Sequence, residues 1–116
     1  MRTLALKLID HFAKEKCWYN VIIYVDNEAW YSEQRSDTEL FQTKKCKEYH
    51  VKKNINVSEY LEYSNPKTLS LVFEGPLYNI INHKDYDYLT KLSAKYLDTY
   101  GLYFEQGYAW SATAYS

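Results

Sequence analysis

The chain has 116 residues, of which 47% are hydrophobic and 25% charged, a mixture typical of one globular domain and not of a disordered segment. The net charge is −1 and the chain has only two arginines, Arg2 and Arg35, so the sequence lacks the basic field of a dedicated duplex-binding protein. Tyrosine is unusually abundant, with 14 residues. Because a Tyr ring is apolar while its hydroxyl needs a partner, this composition favours a protein that binds another molecule.

The first part of the chain predicts a helix and then a hairpin. Residues 3–16 repeat apolar side chains at helical spacing. Residues 18–25 are apolar on both faces, which predicts a central strand. Asp26 and Asn27 tolerate positive φ and predict a turn into a second strand over residues 29–33. Residues 34–46 are compatible with either a loop or a short helix.

The rest of the chain predicts shorter elements separated by turn residues. Alternation of apolar and polar side chains predicts strands, and apolar side chains at helical spacing predict helices. In chain order we expect an edge strand at 48–53, a short helix at 58–63, a strand at 68–74, a break at Gly75-Pro76, a long helix at 85–100 that ends at Gly101, and one or two strands in 102–115.

The order of these elements indicates the fold class. Most connections between strands are too short for helical crossovers, so the sheet should be largely antiparallel. Two main helices packed on it give a two-layer α+β sandwich. We expect residues 1–116 to form a single compact α+β domain.

The cysteines and histidines indicate a cytoplasmic protein without a metal or cofactor. The first 16 residues are rich in charge, unlike a signal peptide, and no apolar run is long enough for a membrane span. Cys17 and Cys46 are therefore expected to be unpaired thiols in a reducing compartment. The spacing of His11, His50 and His83 from these cysteines does not match a zinc site.

The segment around Glu74 is the most distinctive part of the sequence. Residues 65–78 read NPKTLSLVFEGPLY, which places Glu74 at a strand end before a rigid Gly75-Pro76 turn. Strand ends of this kind often carry binding residues. Glu74 is then either part of a recognition element or a side chain at an ordinary structural turn.

This segment and the sequence GLYFEQGYAW at 101–110 resemble small uncharacterised proteins of mobile genetic elements, conjugative elements or phages, in AT-rich Gram-positive bacteria. The resemblance covers about a third of the chain. It rests on Asn65, Pro66, Phe73, Glu74, Gly75, Pro76, Tyr78, Gly101, Tyr103, Glu105 and Trp110. It implies an accessory protein that binds a host component.

We therefore predict a small bacterial accessory or inhibitory protein that contacts a host protein, or a second copy of itself, through a Tyr/Trp-rich surface. The candidate binding residues are Glu74, Gly75, Pro76, Tyr78, Tyr100, Tyr103 and Trp110. One alternative is single-stranded nucleic-acid binding through the basic stretch Lys44, Lys45, Lys47, Lys52 and Lys53. A second alternative is a small enzyme with Glu74 and His83 in its site. Without a recognisable catalytic pattern, we expect binding and not catalysis.

Overall fold

The computed structural model describes residues 1–32, 48–65 and 67–116. Helix α1 spans Arg2–Lys14 and precedes the hairpin of β1 (Val21–Val25) and β2 (Glu28–Tyr31). The middle of the chain forms β3 (His50–Lys52), a 3-10 turn (Val57–Glu59) and β4 (Leu69–Phe73). Helix α2 (Pro76–Asn79) continues as a π-turn (Ile80–Lys84). Helix α3 (Tyr88–Leu92) continues through a π-turn (Ser93–Leu97) and a 3-10 turn (Asp98–Tyr100), before β5 (Tyr103–Gln106) and β6 (Ser111–Tyr115).

The strands of the described residues form one six-stranded sheet in the order β3-β2-β1-β4-β6-β5. Each neighbouring pair is antiparallel. The predicted α+β architecture, an antiparallel sheet with helices packed on it, is confirmed. The predicted central strand is also correct, because β1 lies between β2 and β4, and the predicted edge strand is β3.

One face of the sheet carries the main core and is covered by the helices. In β1, Val21, Ile23 and Val25 point to this face, and Leu71 of β4 lies opposite Ile23. Leu8 of α1 packs into the same buried cluster. Alternating side chains on the strands and one apolar stripe on the helix meet here, as their periods of 2 and 3.6 residues require.

The opposite face of the sheet is covered by a chain segment instead of a helix. Tyr24 and Ala29 pack against Ile55, Val57 and Leu61 of the segment between β3 and β4. Residues 55–63 are named the covering segment below. Because this segment is narrow, Ile22, Val72 and Trp110 stay only partly buried on the same face.

Two turns have the backbone geometry that their residues predict. Asp26 and Asn27 have φ values of 51° and 59° in the two-residue loop between β1 and β2. Paired positive φ angles are what a hairpin turn with right-handed strand twist requires. Gly101 ends the last helical turn in the left-handed region, at φ 70°.

The region after β4 differs from the sequence prediction. Gly75-Pro76 ends the strand as expected, but Pro76 also begins α2. Proline suits the first position of a helix because its missing N–H would have no helical partner there. The predicted second helix is therefore preceded by an additional helical stretch, and the two meet at Asp85–Asp87. Residues 34–46, for which the sequence is compatible with either a loop or a short helix, lie outside the described residues.

No helix in the described ranges is long and apolar enough to cross a membrane.

The buried position of β1 leads to a stability prediction. Val21 is fully buried, so Val21→Asp places an unpaired charge in the core and should lower the free energy of unfolding by about 3–5 kcal/mol. Urea unfolding of Val21→Asp and of the control Leu6→Asp, at a 46% exposed position on α1, measures the difference. Equal stability of the two variants would contradict the assignment of β1 as the core strand.

Candidate functional site

The loop after β4 is shaped by a close approach between two backbone segments. A Cβ atom at Gly75 would lie 2.5 Å from the Tyr19 carbonyl oxygen, so only glycine fits without a shift of the backbone. The Glu74 N–H donates to the Asn20 carbonyl at 3.1 Å. The Glu74 side chain is exposed and has no hydrogen-bond or ion-pair partner among the described residues. Gly75 is therefore structural, whereas the Glu74 carboxylate is available to another molecule.

This loop forms one wall of an open groove of about 530 Å³. Its lining carries both signs of charge, from Glu15, Lys16, Glu74 and Lys84. Cys17 also borders it, but burial raises the pKa of this thiol to about 12, so it is not a ready nucleophile. His83 lies outside the lining and its ring contacts Tyr78 instead. The groove thus does not unite Glu74 with His83.

Trp110 and Tyr78 are brought close to the Glu74 loop. The Phe73 N–H donates to the Trp110 carbonyl at 2.8 Å, at the end of β4. The Asn82 side-chain amide donates to the Tyr78 and Ala109 carbonyls, at 3.0 and 2.8 Å. Five candidate residues therefore lie at one end of the sheet: Glu74, Gly75, Pro76, Tyr78 and Trp110.

Tyr100 and Tyr103 lie apart from these five residues. Tyr103 begins β5 opposite Tyr115, three residues along the strand from Gln106, which is about 10 Å in an extended strand. Tyr100 is on the helical side, with the Lys7 ammonium 5.9 Å from its ring centre. The predicted binding residues therefore do not form one continuous site.

A larger group of aromatic side chains gathers on the sheet face that lacks helices. We name it the aromatic face and define it as Tyr60, Tyr63, Tyr108, Trp110 and Tyr115. The Tyr108 ring stacks on Trp110 with centres 5.0 Å apart, and its other neighbour is the Tyr63 ring, tilted by 47° with centres 5.4 Å apart. The Tyr108 hydroxyl donates to the Glu62 carboxylate. Of these residues the sequence prediction had included only Trp110.

The aromatic face could not be found from local sequence. Tyr63 and Tyr108 are 45 residues apart, and they meet only because the covering segment crosses β6. The Thr113 hydroxyl fixes that crossing by donating to the Tyr63 carbonyl at 2.7 Å. Glycine at position 107 lets the Tyr63 ring lie close to the β5–β6 turn, since a Cβ atom there would lie 3.0 Å from that ring. The abundance of tyrosine was the one available signal.

The basic stretch falls largely outside the structure as described. Lys44, Lys45 and Lys47 lie outside the described residues, as does Cys46, while Lys52 and Lys53 are exposed near the edge strand β3.

Cys17 is a free, buried thiol. No cluster of three His, Cys, Asp or Glu side chains suited to a metal ion occurs within residues 1–32, 48–65 and 67–116.

A polar network joins α1 to α3. The Glu15 carboxylate accepts a hydrogen bond from the Tyr88 hydroxyl at 2.6 Å and lies 2.5 Å from His11 Nε2. His11 Nδ1 lies 2.7 Å from the Tyr96 hydroxyl. Burial lowers the pKa of His11, which the Glu15 charge partly opposes. Because a carboxylate only accepts, neutral His11 donates through Nε2 and accepts from Tyr96 through Nδ1. Both ring nitrogens are thus occupied, which indicates a structural role.

Comparison with known proteins does not assign the chain to a family. No protein-family model matches it, and neither a curated protein nor a solved structure is significantly similar to it. Functional inference therefore depends on the residues themselves.

The Glu74 loop gives a matched pair of variants. Glu74→Ala should change the free energy of unfolding by no more than about 0.5 kcal/mol, because the side chain is exposed. Gly75→Ala should lower it by about 1–3 kcal/mol through the clash with Tyr19. Thermal melting of both variants checks this. A large loss in Glu74→Ala would make the carboxylate a structural tie, whereas lost partner binding without lost stability would make it a recognition residue.

The His11 network predicts a pH effect on stability. The folded state holds a proton on His11 less readily than the unfolded chain does, because its pKa is lowered. The contribution of neutral His11 is therefore fully present above the ordinary pKa of about 6.5 and decreases as pH falls through the folded value.

Urea unfolding between about pH 7.5 and 5.5 measures this effect, within the range where histidine titrates. His11→Gln should reduce the slope of stability against pH. The control, His83→Gln, removes an exposed imidazole outside the network and should keep the slope. An unchanged slope in His11→Gln would contradict the assignment.

Proposed function

We propose that this chain is a small cytoplasmic accessory or inhibitory protein that binds a host protein through the aromatic face. One observation carries the proposal: Tyr60, Tyr63 and Tyr108 are exposed together on the sheet face opposite the helices. Tyr and Trp are enriched among the residues that dominate binding energy in protein interfaces. A mobile genetic element as its source is part of the proposal and rests on the sequence resemblance.

Three rings of the aromatic face have contacts that restrain them in the unbound chain. Tyr60 stacks against Tyr24 with ring centres 6.0 Å apart, and Tyr108 is held between Tyr63 and Trp110. The bond from the Tyr108 hydroxyl to Glu62 fixes that ring further. Fixed side chains lose little conformational entropy on association, which supports a binding role for them.

The charge near these rings favours a protein over a nucleic acid. Glu62 and Glu105 are exposed beside the aromatic face. Carboxylates repel a phosphate backbone, whereas single-stranded nucleic acid requires a basic groove along its stacking rings. Lys52 of β3 lines a groove with Tyr60, whereas the carboxylates of Glu62 and Glu105 lie beside Tyr108 and Tyr63.

Site-specific photocross-linking tests the proposal. A benzophenone amino acid placed at Tyr63 should form a discrete adduct with a host protein in cells that contain the native partner. The matched control carries the same probe at Tyr86, which is 81% exposed but lies between α2 and α3, and it should not form that adduct.

A second substitution makes the test specific for the surface. Tyr108→Ala, combined with the probe at Tyr63, should weaken the adduct because truncation of an interface aromatic commonly costs about 1–2 kcal/mol of binding. The same adduct at both probe positions, or none at Tyr63, would rule out the aromatic face as the contact surface.

A further inference from the structure

The strand register places two tyrosines and a carboxylate together beside Tyr63. Tyr103 lies opposite Tyr115, and Glu105 lies opposite Thr113. Residues two apart on a strand share a face, so Tyr103, Glu105 and Tyr115 point to the same side of the β5–β6 hairpin. Directly opposite side chains are about 5 Å apart and diagonal ones about 7–8 Å. The Glu105 carboxylate therefore lies within reach of the neighbouring rings.

Tyr63 closes this arrangement into a groove. Thr113 holds the Tyr63 backbone over the hairpin, opposite Glu105 in the ladder. The groove between them has a volume of about 290 Å³ and is lined by Tyr63, Glu105, Gln106, Gly107 and Tyr115. It is thus a concave site with aromatic walls and a single carboxylate.

The charge in this groove is uncompensated. Within the part of the chain that the structure describes, the Glu105 carboxylate has no hydrogen-bond or ion-pair partner. The lining contains no Lys, Arg or His. The Gln106 amide hydrogens are engaged by Asn82 and by the Ala109 carbonyl. Beside the groove, Glu62 adds a second negative charge. The local field is therefore one that attracts a cation.

We propose that this groove binds a basic side chain, arginine or lysine, presented by the protein partner. An aromatic ring attracts a cation through its negative face, and a carboxylate adds a direct ionic contact. Tyr63 and Tyr115 supply the rings and Glu105 the carboxylate. This inference rests on the proposed function and specifies the chemistry of the contact on the partner.

A pair of peptides isolates the role of the positive charge. Ac-Gly-Arg-Gly-NH₂ and its citrulline counterpart have nearly the same shape, but only the first is charged. NMR titration of the full chain should show saturable shifts of the Tyr63 and Tyr115 rings with the arginine peptide. The shifts should weaken as salt rises, because exposed ionic contacts are screened.

Two matched variants locate the binding site. Glu105→Gln should weaken binding of the arginine peptide by about threefold or more, the scale of an exposed ionic contact. Glu48→Gln removes another exposed carboxylate, which lies next to β3 at the opposite edge of the sheet and outside the groove, and should leave binding unchanged. Tyr63→Leu should also weaken binding, by removing the ring.

Three results would overturn the inference: equal shifts with both peptides, equal affinity of Glu105→Gln and the native chain, or equal weakening by Glu48→Gln. The photocross-linking result is independent of these measurements. If a partner crosslinks at Tyr63 but the arginine peptide does not bind, the proposed function stands and only the inference of a basic side chain in the groove is rejected. Absence of the crosslink would contradict the proposed function itself.

Discussion

The structure depends on the central ladder between β1 and β4, whose two faces are covered in different ways. Ile23 and Leu71 pair within the helix-covered core, whereas the neighbouring Tyr24 and Ser70 pair on the opposite face. A strand exposes successive side chains to opposite faces, so one register sets the composition of both layers. The helix-covered side is closed by apolar packing, and the second side is closed only where the covering segment crosses it.

The covering segment leaves an incomplete second layer with exposed aromatic side chains. Its apolar residues Ile55, Val57 and Leu61 bury against the sheet, so their neighbours Tyr60 and Tyr63 are left on the outside. The bond from Thr113 to the Tyr63 carbonyl fixes the segment over β6. Thr113 in turn contacts Ser70 through their hydroxyls at 3.0 Å. Polar residues in the strands thus position the exposed rings, a task that apolar residues could not perform with the same directionality.

Most of the fold follows from local sequence, whereas most of the surface does not. The apolar run over Val21–Val25, the Asp26-Asn27 turn and Gly101 each have a structural meaning within a few neighbouring residues. Local sequence predicts a break at Pro76, but proline both ends a strand and suits the first position of a helix, and here it begins α2. The proximity of Tyr63 to Tyr108 depends on strand order and register between distant segments, which local periodicity does not encode.

Core and surface are separable in this protein except near one glycine. In the aromatic face Tyr60, Tyr63 and Tyr108 are exposed and Trp110 and Tyr115 are partly buried, and none of them belongs to the helix-covered core, so changes there should leave that core intact. Gly107 links the two, because a Cβ atom there would lie 3.0 Å from the Tyr63 ring and 3.2 Å from the Ser111 hydroxyl. Ser111 pairs with Val72 in the sheet. A side chain at position 107 would therefore displace either the β4–β6 ladder or the Tyr63 ring, and the ring is the more easily moved because it is exposed. The shape of the groove is thus determined where the β5–β6 turn passes beneath Tyr63.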